Sequence, residues 1–170
     1  MLKYILNLNI KKYFLIFIYL INSPTIYANE KNIILTFNED TAKYWQYISD
    51  RTMGGVSEGS AFLDYDGDIV SARLVGSVST DNNGGFIQLR TTLSFLNLNE
   101  QNKKLSGVRL NVRGNGELYH VFIRTSMDRS YRDYFSTTFV ANDKWTTVEL
   151  PFDQFTHRYS NKVLDGNDLR

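Results

Sequence analysis

The 170-residue chain contains no cysteine. Disulfides, a thiol nucleophile, thiolate metal sites and a lipid-modified cysteine anchor are thereby excluded. Histidine is nearly as scarce: His120 and His157 are the only two, and neither belongs to an HxH or HExxH pattern. His120 falls mid-strand beside Tyr119 and reads as a hydrogen-bonded strand residue. No sign of charge dominates, with 19 Lys and Arg against 18 Asp and Glu. A nucleic-acid partner, whose phosphates need a clustered basic face, is not indicated. Helical periodicity, internal repeats, linkers and low-complexity tracts are all missing. Met53-Gly54-Gly55 and Asn83-Gly84-Gly85 lead into strands rather than helices, so a nucleotide cofactor has no visible seat.

One apolar run interrupts this pattern. Lys11-Lys12 precedes Tyr13 to Ile21 (YFLIFIYLI), then Asn22-Ser23-Pro24 and Thr25-Ile26-Tyr27-Ala28. A basic start, a short apolar stretch and a small residue at the cut describe a secretory signal peptide over residues 1–28. The run is too short for a membrane span, which needs roughly 20 apolar residues. It has no Arg and is apolar all round, unlike a mitochondrial presequence. Residues 29–170 then form a single domain outside the cytoplasm, periplasmic or extracellular. That domain carries a slight excess of acid, because the leader holds Lys3, Lys11 and Lys12 and no carboxylate.

The remainder reads as strands. Apolar–polar alternation and turn residues recur along it. Asn32 to Phe37 is a short apolar strand. Ser60 to Tyr65 and Asp68 to Val75 flank Asp66-Gly67, a pair suited to a two-residue hairpin turn. Phe86 to Thr92 follows Asn82-Asn83-Gly84-Gly85. Val108, Leu110 and Val112 alternate with Arg109, Asn111 and Arg113. Gly114-Asn115-Gly116 then turns the chain, and Leu118 to Thr125 returns, which predicts a hairpin over Gly107 to Thr125. Tyr131 to Val140 and Lys144 to Leu150 complete the set. The polar stretch Asn97 to Lys104 reads as a crossover loop between sheets. The spacing predicts an all-β antiparallel sandwich or jelly roll.

Candidate chemistry is sparse. Gly55-Val56-Ser57-Glu58-Gly59 matches the G-x-S-x-G nucleophile elbow, but a strand follows where a helix is required. It reads as a turn, and no catalytic residue is expected. Asp64, Asp66 and Asp68 lack the Gly and Glu positions of a calcium loop and read as a solvated hairpin tip. No metal site is expected. Arg90, Arg113 and Arg124 lie on strands, with Tyr119, Tyr131 and Tyr134 near them in sequence. Guanidinium forks and aromatic faces suit sugar or peptide recognition, so Arg90, Arg113, Tyr119 and Arg124 are candidate ligand-binding residues. Aromatic core packing is the alternative.

Four blocks carry a resemblance. Residues 45–59 (WQYISDRTMGGVSEG) resemble a W-x-x-x-(N/S)-D-x-x-M-G-G-x-S-x-G signature. Gly76-Ser77-Val78-Ser79, Asn82-Asn83-Gly84-Gly85-Phe86 and Leu89-Arg90 resemble a second segment, G-x-(V/L)-S…N-N-G-G-F…(V/L)-R. Residues 107–116 (GVRLNVRGNG) with Tyr119 resemble a third, and residues 145–155 (WTTVELPFDQF) a fourth, W-x-x-(V/I)-x-(L/I)-P-F-x-x-F. All four are similar to segments of the complex I intermediate-associated protein 30 family, in order, over residues 37–155.

The resemblance implies a galactose-binding-domain-like β-sandwich. It also implies a non-catalytic role, since the family's mitochondrial members bind assembly intermediates of NADH:ubiquinone oxidoreductase (complex I). It brings no catalytic residue and no cofactor. The motif residues Trp45, Asp50, Met53, Gly54, Gly55, Ser57, Asn83, Gly84, Gly85, Phe86, Gly114, Gly116, Trp145, Pro151 and Phe152 are expected to be structural. Gly54, Gly55, Gly84 and Gly85 would permit positive φ. Asp50 would bond the backbone of the turn after it, and Trp45 would supply core area. The expected partner is a respiratory assembly intermediate. The export address suggests an alternative, an exported carbohydrate- or peptide-binding module on the same fold. Family members continue beyond the point where this chain stops, so a C-terminally truncated sandwich lacking its last strands is expected.

Overall fold

The structure, a computed structural model, describes residues 14–22, 33–93, 105–126, 128, 130 and 132–169, with side chains from residue 36 onward except at 167. The signal cut after Ala28, the crossover loop Asn97 to Lys104 and Tyr131 lie outside the described residues. Eleven strands are described: β1 (Phe14–Asn22), β2 (Ile33–Leu35), β3 (Trp45–Ser49), β4 (Glu58–Asp66), β5 (Ile69–Ser77), β6 (Ile87–Thr91), β7 (Leu105–Arg113), β8 (Glu117–Ile123), β9 (Phe135–Ala141), β10 (Thr146–Pro151) and β11 (Thr156–His157). The one described α-helix, α1 (Glu39–Ala42), is a single turn closed by Asn38 and Thr41 in a capping box. The fold is all-β and antiparallel, as the alternation implies. No described helix is long and apolar enough to cross a membrane. The apolar run read as a leader takes strand form here as β1, rich in the aromatic and β-branched residues that suit strands.

The chain divides into two compact units, Met1–Ile16 with Thr36–Thr92 and Phe17–Leu35 with Leu93–Arg170. In the first, β4 and β5 form a nine-pair hairpin from Glu58↔Ser77 to Asp66↔Ile69. Because Asp66 still pairs with Ile69, the two-residue turn is Gly67-Asp68 rather than Asp66-Gly67. Gly67, at φ +60°, supplies the positive φ needed at the first tip position. β5 also pairs with the start of β1 (Phe14↔Leu74, Ile16↔Ala72). β3 pairs with β6 from Trp45↔Thr91 to Ser49↔Ile87, a strand that periodicity did not reveal. Phe37, Ala72 and Leu74 are buried, and Phe37 packs at 4.8 Å on the half-buried Trp45 ring.

The second unit corrects the expected hairpin. β7 pairs with β10 (Thr146↔Val112 to Pro151↔Gly107), whereas β8 pairs with β9 and β9 with β11. β7 and β8 therefore belong to different sheets, and Gly114-Asn115-Gly116 carries the chain from one to the other. The return from β9 to β10 makes a matching crossing at residues 142–145. The two crossings bond to each other, Gly114 N–H to Asn142 O at 2.6 Å and Gly116 N–H to Ala141 O at 2.7 Å. Each strand's apolar stripe thereby lines its own sheet. Leu105, Val108, Leu110, Val112, Phe135, Phe139, Ala141, Leu150, Phe152, Phe155 and Leu164 form the buried core. Residues 18–20 of β1 pair with β2 in this unit.

Candidate functional site

The two most specific motif blocks meet twice in the first unit, β3 against β6 and the start of β4 against the end of β5. Asp50 follows β3 directly and opens the 3₁₀ turn Asp50–Met53. Its backbone N–H donates to Phe86 O at 3.1 Å, the last rung before β6. The side chain is fully buried. One carboxylate oxygen, Oδ1, accepts from Ser57 N–H at 2.9 Å. The other, Oδ2, accepts from Ser57 Oγ at 2.5 Å, Gly85 N–H at 2.6 Å and Phe86 N–H at 3.3 Å. Ser57, also fully buried, accepts in turn from Ser79 N–H at 3.0 Å. One carboxylate thus ties the turn 51–56 to the loop 79–86.

Burial pushes the Asp50 carboxyl upward, but its hydrogen bonds to Ser57, Gly85 and Phe86 outweigh this and hold it below the usual carboxylate range. Asp50 is therefore ionised, and its full burial keeps both oxygens out of a substrate's reach. Ser57 Oγ is sealed from solvent and donates to that carboxylate. A nucleophile needs access and an effective base; Ser57 has no access, its carboxylate acceptor is a weakened base, and strand β4 follows where an elbow needs a helix.

The glycines around this cluster need a revised account. Gly54 and Gly85 have positive φ, +87° and +135°, as expected. Gly55 and Gly84 do not. A Cβ on either would overlap the Asp50 carboxyl group, so they are glycine to leave room for it. Asn82 and Asn83 take the left-handed conformation instead, at φ 54° and 59°. Met53 and Val56 stand on the outside of the fixed turn, 56% and 46% exposed. An Arg51–Glu58 ion pair at 3.4 Å spans its base.

The proposed ligand-binding residues each have a local partner. Arg90 donates through Nε and Nη2 to Gln46 Oε1, at 3.2 and 2.9 Å. Arg113 lies over the Trp145 ring at 5.2 Å. Tyr119 donates to Asn115 Oδ1 at 2.6 Å, and the same oxygen accepts from Glu117 N–H at 3.1 Å. Burial first, then the Glu117 charge, push the Tyr119 phenol up to about 12. Arg124 donates to Ser130 O at 3.0 Å. Arg90 belongs to the first unit and the other three to the second. Asn115 and Ser79 escaped sequence reasoning, although each sits inside a quoted motif.

The other candidates separate in the same way. Asp64 Oδ2 pairs with Arg73 at 3.0 Å. His157 approaches Asp128 at 3.8 Å and holds Ser160 Oγ at 2.9 Å from Nδ1. His120 lies mid-strand on β8, as its place beside Tyr119 suggests, where its side chain is exposed and stacks on Phe122. Among the described residues no cluster of three His, Cys, Asp or Glu is placed to hold a metal ion. Phe152 is buried and meets Phe155 at 6.2 Å, with Pro151 ending β10 before it.

No curated protein and no solved structure matches the chain. A sequence profile described as Complex I intermediate-associated protein 30 (CIA30) matches residues 35–169. That span contains β3 to β11, the Asp50 cluster and all four motif blocks. The chain belongs to the complex I intermediate-associated protein 30 family.

Proposed function

We propose that the protein is a non-catalytic binding and assembly module whose partners, by family, are assembly intermediates of complex I. One observation carries this reading: the motif's buried polar pair, Asp50 and Ser57, is consumed in fixing a turn that displays Met53 and Val56 to solvent. A preshaped loop with apolar tips lowers the ordering cost of docking to another protein. A galactose-binding-domain-like jelly roll is the fold description that goes with it. Crosslinking the full chain in cells and identifying what co-purifies tests the reading. Respiratory-chain subunits, lost with Met53→Asp and Val56→Asp, are expected; recovery of envelope components alone refutes the assembly role.

A second reading rests on the N-terminus. Lys11-Lys12, the apolar run and Ala28 favour export to the periplasm or beyond. The same module would there bind glycans or peptides. Fractionation with N-terminal sequencing separates the two: a mature chain starting at Asn29 outside the cytoplasm favours export, and a full-length cytoplasmic chain refutes it. A glycan array on the folded protein then tests the ligand class.

A further inference from the structure

The sheet β8–β9–β11 turns one face to solvent. Leu118, His120 and Phe122 on β8 and Thr138 and Val140 on β9 are exposed, while Phe135, Phe139 and Ala141 point inward. The register sets Leu118 opposite Val140, His120 opposite Thr138 and Phe122 opposite Ser136. Leu118 is 55% and Phe122 48% exposed, which is much apolar surface for one sheet face.

Aromatic and cationic groups run from this face in unbroken order. The His120 and Phe122 rings lie 5.8 Å apart with planes 7° from parallel. Tyr134 meets Phe122 edge-on at 4.7 Å. The Arg158 guanidinium lies over Tyr134 at 5.3 Å and over Tyr159 at 5.4 Å, and its Nη1 donates to the Tyr134 hydroxyl at 2.8 Å. Arg124 continues the outward phase of β8 and is exposed. These contacts hold the rings in place without a ligand, so little order remains to be imposed on binding.

The composition of the face selects an occupant. Among the described strand residues that face outward here none is acidic, and two guanidiniums stand at one end, where the carboxylate of Asp128 is turned to Thr125 N–H and His157, which suits an anion. Ring planes alternate with hydroxyls of Ser136, Thr138 and Tyr134. A pyranose chain has the complementary division, an apolar C–H face for the rings and a hydroxyl rim for the polar groups. A carboxylate on the sugar would meet a guanidinium fork. A protein interface is also enriched in aromatic and Arg side chains; the hydroxyls set between the rings are what favour a sugar here, and the polyglutamate arm below separates the two. Single-stranded nucleic acid would need a basic groove along its backbone, which a chain of net charge +1 does not offer.

We propose that the outer face of β8 and β9, with Phe122, Tyr134, Arg158 and Tyr159, binds an acidic polysaccharide whose sugars carry carboxylates. This rests on the glycan-binding reading above and names its site and ligand class. Affinity electrophoresis of the full chain in gels containing polygalacturonate, its methyl-esterified form or polyglutamate tests it. Polygalacturonate is expected to retard the protein. Methyl esterification, Arg158→Ala, Phe122→Ala and Tyr159→Ala should each weaken binding about tenfold, with thermal melting unchanged because these side chains are exposed. Undiminished retardation of a Phe122→Ala protein that melts normally overturns the site. Equal, Phe122-dependent binding of both pectin forms overturns the acidic class and leaves the glycan reading standing. Retardation by polyglutamate as strong as by polygalacturonate overturns the glycan ligand. No retardation by either pectin form overturns the proposal, while the glycan array judges the wider reading separately.

Discussion

A carboxylate taken out of water needs donors around it, and Asp50 has one side-chain and three backbone donors. Asp50→Asn keeps the shape but turns an NH₂ toward groups that donate. It should cost about 3 kcal/mol in urea denaturation, within the range for breaking a buried charged network. Gly84→Ala should cost about 1–3 kcal/mol, because its methyl competes with Asp50 for space. A measured loss below about 0.5 kcal/mol for either would show that the cluster is slack. The acid side follows from the same bonds. With its folded pKa depressed, Asp50 contributes stability that is present above the unfolded carboxylate pKa, near 3.9. That contribution disappears as pH falls through the folded value. Stability should therefore hold from about pH 7 to 5 and drop below about pH 4, with Asp50→Asn losing one proton from that slope.

The sheet-to-sheet crossing at Gly114-Asn115-Gly116 is the least legible element. Apolar alternation told correctly that β7 and β8 are strands, yet it says nothing about which strand pairs with which. A G-N-G turn serves a hairpin and a crossing equally well. The difference lies in Gly114 and Gly116 bonding to Asn142 and Ala141, residues outside any local window. β3 was missed for a related reason: Trp45–Ser49 is half-buried with no clean alternation. The Asp50 cluster was half legible. The motif implies that Asp50 bonds the backbone after it, which Ser57 N–H supplies, whereas the Ser57 hydroxyl was not foreseen and Gly85 and Phe86 come from the second block. The role of Gly55 and Gly84 becomes visible only once the carboxylate is seen in their Cβ positions. The crossing itself depends on Tyr119, whose hydroxyl holds Asn115. Tyr119→Phe should lower stability by about 1 kcal/mol, read as a lower melting temperature; an unchanged one would mean that the Gly114 and Gly116 bonds suffice.

At the level of the molecule, the specific blocks serve pairing between distant segments. Trp45 lies beside Thr91 and Glu58 beside Ser77. Chains dominated by such pairings fold slowly, in milliseconds to seconds. Asp50 can receive Gly85 and Phe86 only after both registers are set, so its bonds belong to the late, native side of the barrier. The carboxylate therefore governs how long the folded state lasts, not how fast it is reached. In stopped-flow measurements Asp50→Asn should leave the refolding arm nearly unmoved and raise the unfolding rate about thirtyfold for each 2 kcal/mol lost. A slowed refolding arm would instead place the cluster in the nucleus. Wherever a protease acts on the opened chain, a slow unfolding rate is a long service life, and in this chain one buried side chain contributes to it.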